Sequence, residues 1–378
     1  MAQDWSGPTT RRRGSATFAE EALEEGAMIR IGLLGSGFVA EFYMQALSQV
    51  PGQEVIANYS RTMERAEEFG RRWGIAHHYS RMEDLVDQEQ IDLLLIALPN
   101  HLHLPAVRLA AQASLDMVCT KPLGRNASEA GEMVGLARSA GVMAGYAETE
   151  VFAPSVMKAR ELIEQGVIGR VLTVRSREAH SGPHAPHFWN TELSGGGCLM
   201  DMGCHTVEAA RYFLGKHIRP VAAVAWGTTL VHKERTRGED NAVMLVRFED
   251  DSLLVSDTSW TLKGGMVLRN EIYGTAGQVI TDSRQTNISA FTVEHAGYLQ
   301  EKADSDTGWV FPIPDEARVY GYHEEMRHFV ECKAAGLSPR ETFEDGYVVA
   351  GVIDAAYRSM SSGHWENITI DPELAVHR

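Results

Sequence analysis

Ile29-Arg30-Ile31-Gly32-Leu33-Leu34-Gly35-Ser36-Gly37-Phe38-Val39-Ala40 is the stretch on which the fold turns. Its first six residues form an apolar run of strand length, bounded by Gly35. A helical pattern then runs from Phe38 to about Gln49 and is stopped by Pro51-Gly52. The turn between them reads G-x-G-x-x-A, which suits a dinucleotide. Gly35 permits the tight turn, Gly37 lets the backbone approach a pyrophosphate, and Ala40 lets the helix lie close to the strand. Phe38 and Val39 open a helix whose free N–H groups and positive dipole end favour phosphate. The pattern is weak alone and gains its meaning from standing between a strand and a helix.

The same rhythm continues outward. Glu54 to Tyr59 reads as a second strand and Thr62 to Trp73 as a second helix ending at Gly74. Ile91 to Leu98 is nearly all apolar, as a strand covered on both faces must be. Leu104 to Ala113 is helical, Asp116 to Thr120 a strand, Ala127 to Ser139 a helix. Strands alternating with helices imply βαβ units and a Rossmann doubly wound parallel sheet over residues 28–148. From about 149 to 378 the pattern changes. A helix over Ser155 to Gln165 and a strand from Val171 to Arg177 lead into a Gly-, Pro- and His-rich stretch, then a helix near Cys204. Strands then follow at Val221–Val231, Asn241–Glu249, Ser252–Thr261, Val267–Tyr273 and Gln278–Thr281, with turn signals at Asp250-Asp251 and Thr275-Ala276-Gly277. This half is expected to be α+β, with a large, mostly antiparallel sheet, closed by helices over His323–Ala335 and Phe343–Ser361.

Composition bounds the partners. Lys and Arg number 35 against 51 Asp and Glu, a net charge of −16. So acidic a surface repels nucleic acid and anionic membranes, and no stretch reaches the ~18 apolar residues of a membrane span. Residues 1–27 read as a polar tail. Arg11-Arg12-Arg13 is followed by no apolar segment, so an export signal is not expected. The four cysteines, Cys119, Cys198, Cys204 and Cys332, form no C-x-x-C pair and read as small packing residues. A cytoplasmic, reducing location is expected.

The second strand ends Asn58-Tyr59-Ser60-Arg61, without the acid that binds the ribose of NAD. Ser60 and Arg61 suit a 2′-phosphate instead, or Arg61 flanks the adenine ring; the expectation for the NAD(P)(H) cofactor tilts toward NADP.

Taken in order, five features resemble the Gfo/Idh/MocA oxidoreductases, from about residue 28 to the C-terminus. They are the glycine turn; Pro99-Asn100-His101-Leu102-His103; Thr120-Lys121-Pro122; Gly195-Gly196-Gly197-Cys198-Leu199-Met200-Asp201-Met202-Gly203-Cys204-His205; and the final helix around Ala355 to Ser359. Thr120 replaces the family's usual glutamate, and Glu208 stands where aspartate is common, either altering substrate contacts or facing the core. The resemblance implies that Lys121, Asp201 and His205 converge beside a nicotinamide. His205 would be the general base, Lys121 would polarise the reacting oxygen, and Asp201 would hold a substrate hydroxyl. It also implies that Gly35, Gly37, Phe38, Val39, Pro99, Asn100, His103 and Lys121 hold the cofactor with Ser60 and Arg61. Asp201 and His205 are four apart, so a helix starting near Met202 points them to one face.

The stretch Glu178 to Trp189 holds His180, His184 and His187 with Phe188 and Trp189, a set suited to sugar hydroxyls and a sugar's apolar face. His180, His184 and Trp189, with Glu148 from Glu148-Thr149-Glu150, Asp201 and His205, are the expected substrate contacts. A metal on His180, His184 and His205 with Glu148 or Asp201 is the rival reading; the spacing is not diagnostic, and no metal is expected. The expected activity is oxidation of a ring hydroxyl of an uncharged sugar, glycoside (at C3) or cyclitol. The alternatives are an NAD-dependent glycosidase working by oxidation, elimination and reduction, and a non-catalytic binding protein on the same fold. A homodimer or homotetramer is implied by the resemblance.

Overall fold

The computed structural model describes residues 28–284, 288–295 and 301–376; the tail read over 1–27 lies outside them. Strand β1 (Ile29–Leu34) leads through the glycine turn into helix α1 (Phe38–Leu47). β2 (Gln53–Tyr59) is followed by α2 (Met63–Trp73), whose ends carry their own signals: the Thr62 side chain accepts from the Arg65 N–H, and Gly74 closes the helix at φ 71°. β3 (His77–Tyr79), α3 (Met82–Gln88), β4 (Leu93–Ile96), α4 (His103–Gln112), β5 (Asp116–Thr120), α5 (Ala127–Ala140) and β6 (Ala144–Ala147) complete the unit. The six strands pair in parallel in the order β3-β2-β1-β4-β5-β6. The order reverses between β1 and β4, so the glycine turn sits at the switch point where such sheets bind ligands. β3, α3 and β6 have no counterpart in the sequence reading, and β4 is shorter than the run Ile91–Leu98 suggested.

Helix α6 (Pro154–Glu164) connects to β7 (Val171–Ala179). Helix α7 (Cys198–Leu214) begins six residues before the expected Cys204. The correction has a physical cause. Gly197, its N-cap residue, offers no side chain, and the cap comes from far along the chain: the Glu239 carbonyl accepts the Cys198 N–H at 2.8 Å and its carboxylate accepts the Leu199 N–H at 2.9 Å. A Cβ on Gly197 would stand 2.1 Å from the Glu239 oxygen, and one on Gly196 1.8 Å from the Tyr357 hydroxyl. β8 (Pro220–Thr228), β9 (Asn241–Phe248), β10 (Leu253–Ser259), β11 (Val267–Gly274), β12 (Gln278–Asp282) and β15 (Glu366–Asn367) join β7 in a seven-stranded sheet, order β12-β11-β7-β10-β9-β8-β15. β7 and β10 pair in parallel and the other pairs are antiparallel. Two short strands, β13 (Ala290–Thr292) and β14 (Gly308–Val310), form a separate hairpin.

The last two helices, α8 (Tyr322–Ala335) and α9 (Phe343–Ser362), return to the first sheet. Met326, Phe329 and Val330 join the core on one face of it, and Phe343, Tyr347 and Ala350 the core on the other. Beside α9 lies a buried ionic network. Arg211 binds Glu208 and, at 3.0 Å, Asp345; Lys216 reaches Glu341 at 2.6 Å, Asp345 at 3.1 Å and Glu208 at 3.2 Å. Glu208 therefore faces the core and not a substrate. Removing one charge from such a network leaves its partner buried and uncompensated. Arg211→Met is expected to destabilise the fold by about 3 kcal/mol, read from the urea midpoint of unfolding.

Candidate active site

The glycine turn has the form a diphosphate needs. Gly35 takes φ 128°, and a Cβ there would lie 2.2 Å from the Ala97 carbonyl oxygen. Above Gly37 a Cβ would meet nothing within 4 Å, so the backbone is open to a close approach. No side chain caps α1, which leaves the N–H groups at Phe38 and Val39 free for an anion. At the end of β2, Ser60 is buried and its hydroxyl lies 2.7 Å from that of Ser36 inside the turn. Arg61 is exposed and makes no ion pair or hydrogen bond among the described residues. The turn and its flanks thus fit an NAD(P) diphosphate and ribose.

Pro99 and Asn100 start a single turn after β4. The buried Asn100 amide donates to the Ser194 carbonyl at 2.8 Å, tying this loop to the glycine triplet. His103 is fully buried, with Nδ1 2.9 Å from the Pro122 carbonyl and Nε2 2.8 Å from that of Leu98. Both ring nitrogens are thus taken up by backbone carbonyls, so His103 ties the loop after β4 to the loop after β5 and does not reach a cofactor as the sequence reading expected.

Lys121 directly follows β5 at the carboxyl edge of the sheet. Its ammonium donates to the Asp201 carbonyl at 2.7 Å and to the Asp201 carboxylate at 3.1 Å. Burial opposes the charge on Lys121, and Asp201 outweighs it, so the amine is held above its usual range. The other Asp201 oxygen accepts the Trp260 indole N–H at 2.9 Å, and the His180 Nε2 lies 3.8 Å away. Burial works against the Asp201 charge too, and Lys121 and His180 hold its carboxyl well below the usual range. Asp201 is thus occupied in orienting Lys121.

His205 stands one turn further along α7. Its Nδ1 hydrogen-bonds Glu148 at the end of β6, and its Nε2 faces Glu178 at 3.9 Å. Both His205 and Glu148 are buried. Burial draws the ring down to about 3. Burial, with the Glu208 charge next, pushes the Glu148 carboxyl up to about 8. The histidine is held in a defined orientation by a carboxylate behind it, the arrangement that prepares an imidazole for proton transfer.

The His-rich loop is divided in its roles. His180 extends β7 and its Nδ1 accepts the Gly182 N–H at 3.0 Å; burial pulls it down to about 3. His184 leaves the substrate space and packs on Phe38 of the glycine turn, ring centroids 4.6 Å apart. Trp189 packs against Trp260 and His232, with the Arg235 guanidinium 3.8 Å over its ring. Glu148 and His180 therefore stand with Lys121, Asp201 and His205, while His184 and Trp189 build the wall. The sequence reading passed over Glu178 as a contact, Trp260, and Lys302, whose ammonium donates to the Gly182 carbonyl at 2.9 Å. The alternation Val174, Ser176, Glu178 along β7 was the available signal for the first: every second residue points inward, and the last of them is an acid.

Residues 29–148 match the model of an oxidoreductase family with an NAD-binding Rossmann fold, and residues 156–280 match the GFO/IDH/MocA C-terminal domain. Levoglucosan dehydrogenase of Pseudarthrobacter phenanthrenivorans is 26% identical, over 90% of this chain and 98% of its own. Myo-inositol 2-dehydrogenase of Thermotoga maritima is 26% identical over 88% of this chain and 96% of its own. Among solved structures, GenD2 from gentamicin A biosynthesis, in complex with NAD, superposes with a TM-score of 0.86 at 26% identity, covering 91% of this chain and 97% of that one. Among the described residues no helix is long and apolar enough to cross a membrane.

Proposed function

The chain belongs to the Gfo/Idh/MocA family of NAD-binding oxidoreductases, and from that premise we propose that it oxidises a ring hydroxyl of a sugar, glycoside or cyclitol, with Lys121 and His205 as the reacting groups. One observation carries this reading: an ammonium held by Asp201 and an imidazole held by Glu148 meet at the carboxyl edge of the nucleotide-binding sheet. Bound nicotinamide would supply the hydride acceptor. Lys121 would donate a hydrogen bond to the substrate oxygen and stabilise it as negative charge develops. His205 Nε2 would take the hydroxyl proton, and Glu148 would stabilise the imidazolium formed. A screen of sugars, glycosides and cyclitols that follows absorbance of the reduced cofactor tests it. Glycoside cleavage with no net cofactor reduction would favour the oxidation–elimination–reduction route instead.

The paired proton sets a pH dependence. Below about 8 the Glu148–His205 pair carries one proton too many for Nε2 to be bare. When that proton leaves, Nδ1–H faces an ionised Glu148 and Nε2 becomes the acceptor. Oxidation is therefore expected to rise tenfold per pH unit up to about 8 and then level. Reduction of the ketone, which needs the proton, is expected to fall through the same range. Initial rates in both directions check this.

For the nucleotide, exposed Arg61 beside Ser60 supports a preference for NADP. Arg61→Ala is expected to weaken NADPH about tenfold and to leave NADH unchanged, as read by fluorescence titration. Equal affinities in the parent enzyme would remove the preference. Exposed Trp226 and Val243 face each other across β8 and β9, an apolar pair that supports association of this chain as a homodimer or homotetramer.

A further inference from the structure

Three groups that accept hydrogen bonds once His205 Nε2 is bare and Glu150 and Glu178 are ionised converge beside the proposed reacting groups. A His205 ring nitrogen, a Glu178 oxygen and a Glu150 oxygen lie within 4.8 Å of one another, and Nε2 stands 3.9 Å from Glu178 Oε2. All three residues are buried. Glu178 Oε2 and Glu150 Oε2 have no hydrogen-bond partner. The Asn270 amide serves the other Glu150 oxygen, at 2.7 Å. Neither neighbouring ammonium bonds these oxygens: Lys121 lies on Asp201 and Lys302 on the Gly182 carbonyl. Burial raises the Glu178 carboxyl above its usual range and pushes Glu150 up to about 7, with neighbouring acids adding to both. Protonation relieves the cost of these buried carboxyls, and an occupant bringing both donors and positive charge would take the place of those protons.

We propose that the substrate is a vicinal amino alcohol, an amino sugar or aminocyclitol, whose ammonium is held by Glu150 and Glu178 while the adjacent hydroxyl faces His205 Nε2 and Lys121. This rests on the hydroxyl-oxidation reading and narrows its substrate. A hydroxyl has one O–H and can satisfy one of the three acceptors. An ammonium adds three N–H donors and a charge. The Glu150 and Glu178 oxygens lie within 4.8 Å of each other, a span that one ammonium bridges with charge-assisted hydrogen bonds of about 2.8 Å. Zinc, with bonds of about 2.0–2.1 Å, would draw its ligand atoms to within roughly 3.5 Å of each other; Nε2 and Glu178 Oε2 are 3.9 Å apart. Glu148, Glu150, Glu178 and Asp201 outnumber the two nearby ammonium groups, Lys121 and Lys302, so an acid sugar or sugar phosphate is disfavoured at this position.

The test loads the full-length protein with NADH and measures binding of trans-2-aminocyclohexanol and trans-cyclohexane-1,2-diol by calorimetry. The amino alcohol is expected to bind about 100-fold tighter, the scale of two charge-assisted hydrogen bonds. Its N-acetyl derivative should fall to the level of the diol. Glu178→Gln, shown to be folded by circular dichroism and to bind NADH normally, should lose the preference. Turnover of glucosamine and 2-deoxystreptamine should likewise exceed that of glucose and myo-inositol. Absence of any preference for the amine overturns the inference, as does a stoichiometric divalent metal that Glu178→Gln releases. Cofactor reduction with neutral sugars but not amino sugars sinks this inference and leaves hydroxyl oxidation standing. Glycoside cleavage without net cofactor reduction would instead sink the parent reading.

Discussion

Replacing Lys121 with methionine is expected to lower kcat for alcohol oxidation by about 10³-fold and to leave NAD(P)H affinity nearly unchanged. The reasoning starts from the Asp201 contacts. Two of the lysine's three donors are engaged by Asp201, at 2.7 and 3.1 Å, so its position is fixed before a substrate arrives. The third is the donor left for the reacting oxygen. As the hydroxyl oxygen loses its proton and the carbon that bears it loses hydride, that oxygen gains most from a fixed donor at the moment charge develops, so the loss falls on kcat more than on KM. Methionine keeps the length and apolar stem of the side chain. Arginine is not expected to rescue, because a planar fork cannot reproduce a compact ammonium in the space between Asp201 and the substrate. Single-turnover measurement of hydride transfer is the direct check. A variant with full single-turnover rate would remove Lys121 from the chemistry.

How much of this site was legible in the sequence depends on the range of the contact. β1, its glycine turn and α1 are local: strand, turn and helix signals lie within 20 residues, and their bounds in the structure match the reading almost to the residue. Thr62 and Gly74 mark their helix for the same reason. Asp201 and His205 were marked by their resemblance to a family motif, and their spacing of four residues, about one helical turn, placed them on one face. The start of their helix was missed because its cap is Glu239, whose carboxylate reaches Leu199 across 40 residues of chain. β3 was missed because three residues at a sheet edge leave no periodicity to count. Trp260 and Glu178 were missed as site residues for a further reason. Each is an ordinary member of a strand or its end until the parallel pairing of β7 with β10 sets Glu178 opposite Thr258, beside the strand end that leads to Trp260. The His-rich loop shows the converse. Composition alone marked His180, His184 and Trp189 alike, and packing then separated one that lies on Asp201 from two that brace the turn and the wall.

Glu148→Gln is expected to reduce kcat by about 10³- to 10⁴-fold, with the fold and cofactor binding intact. Glu148 touches neither the substrate nor the nicotinamide in this reading; it acts through His205 and is a positioning residue. Its carboxylate does two things an amide cannot. It accepts the Nδ1–H and so selects the tautomer with a bare Nε2, and it offsets the positive charge that the ring acquires on taking the substrate proton. A glutamine can turn its NH₂ toward Nδ1, which puts the proton on Nε2 and leaves no base. The rate alone would not separate this role from mere packing, since a buried Glu148 also accepts the Val151 N–H at 3.3 Å. The pH profile does. In the parent enzyme oxidation should climb toward about 8, where Glu148 gives up its proton; in Glu148→Gln that climb should vanish and leave a low, flat line. Glu148→Asp keeps the charge with a shorter reach, so it should restore the slope and part of the rate. A glutamine variant that kept the parent's pH profile would place the base elsewhere than His205.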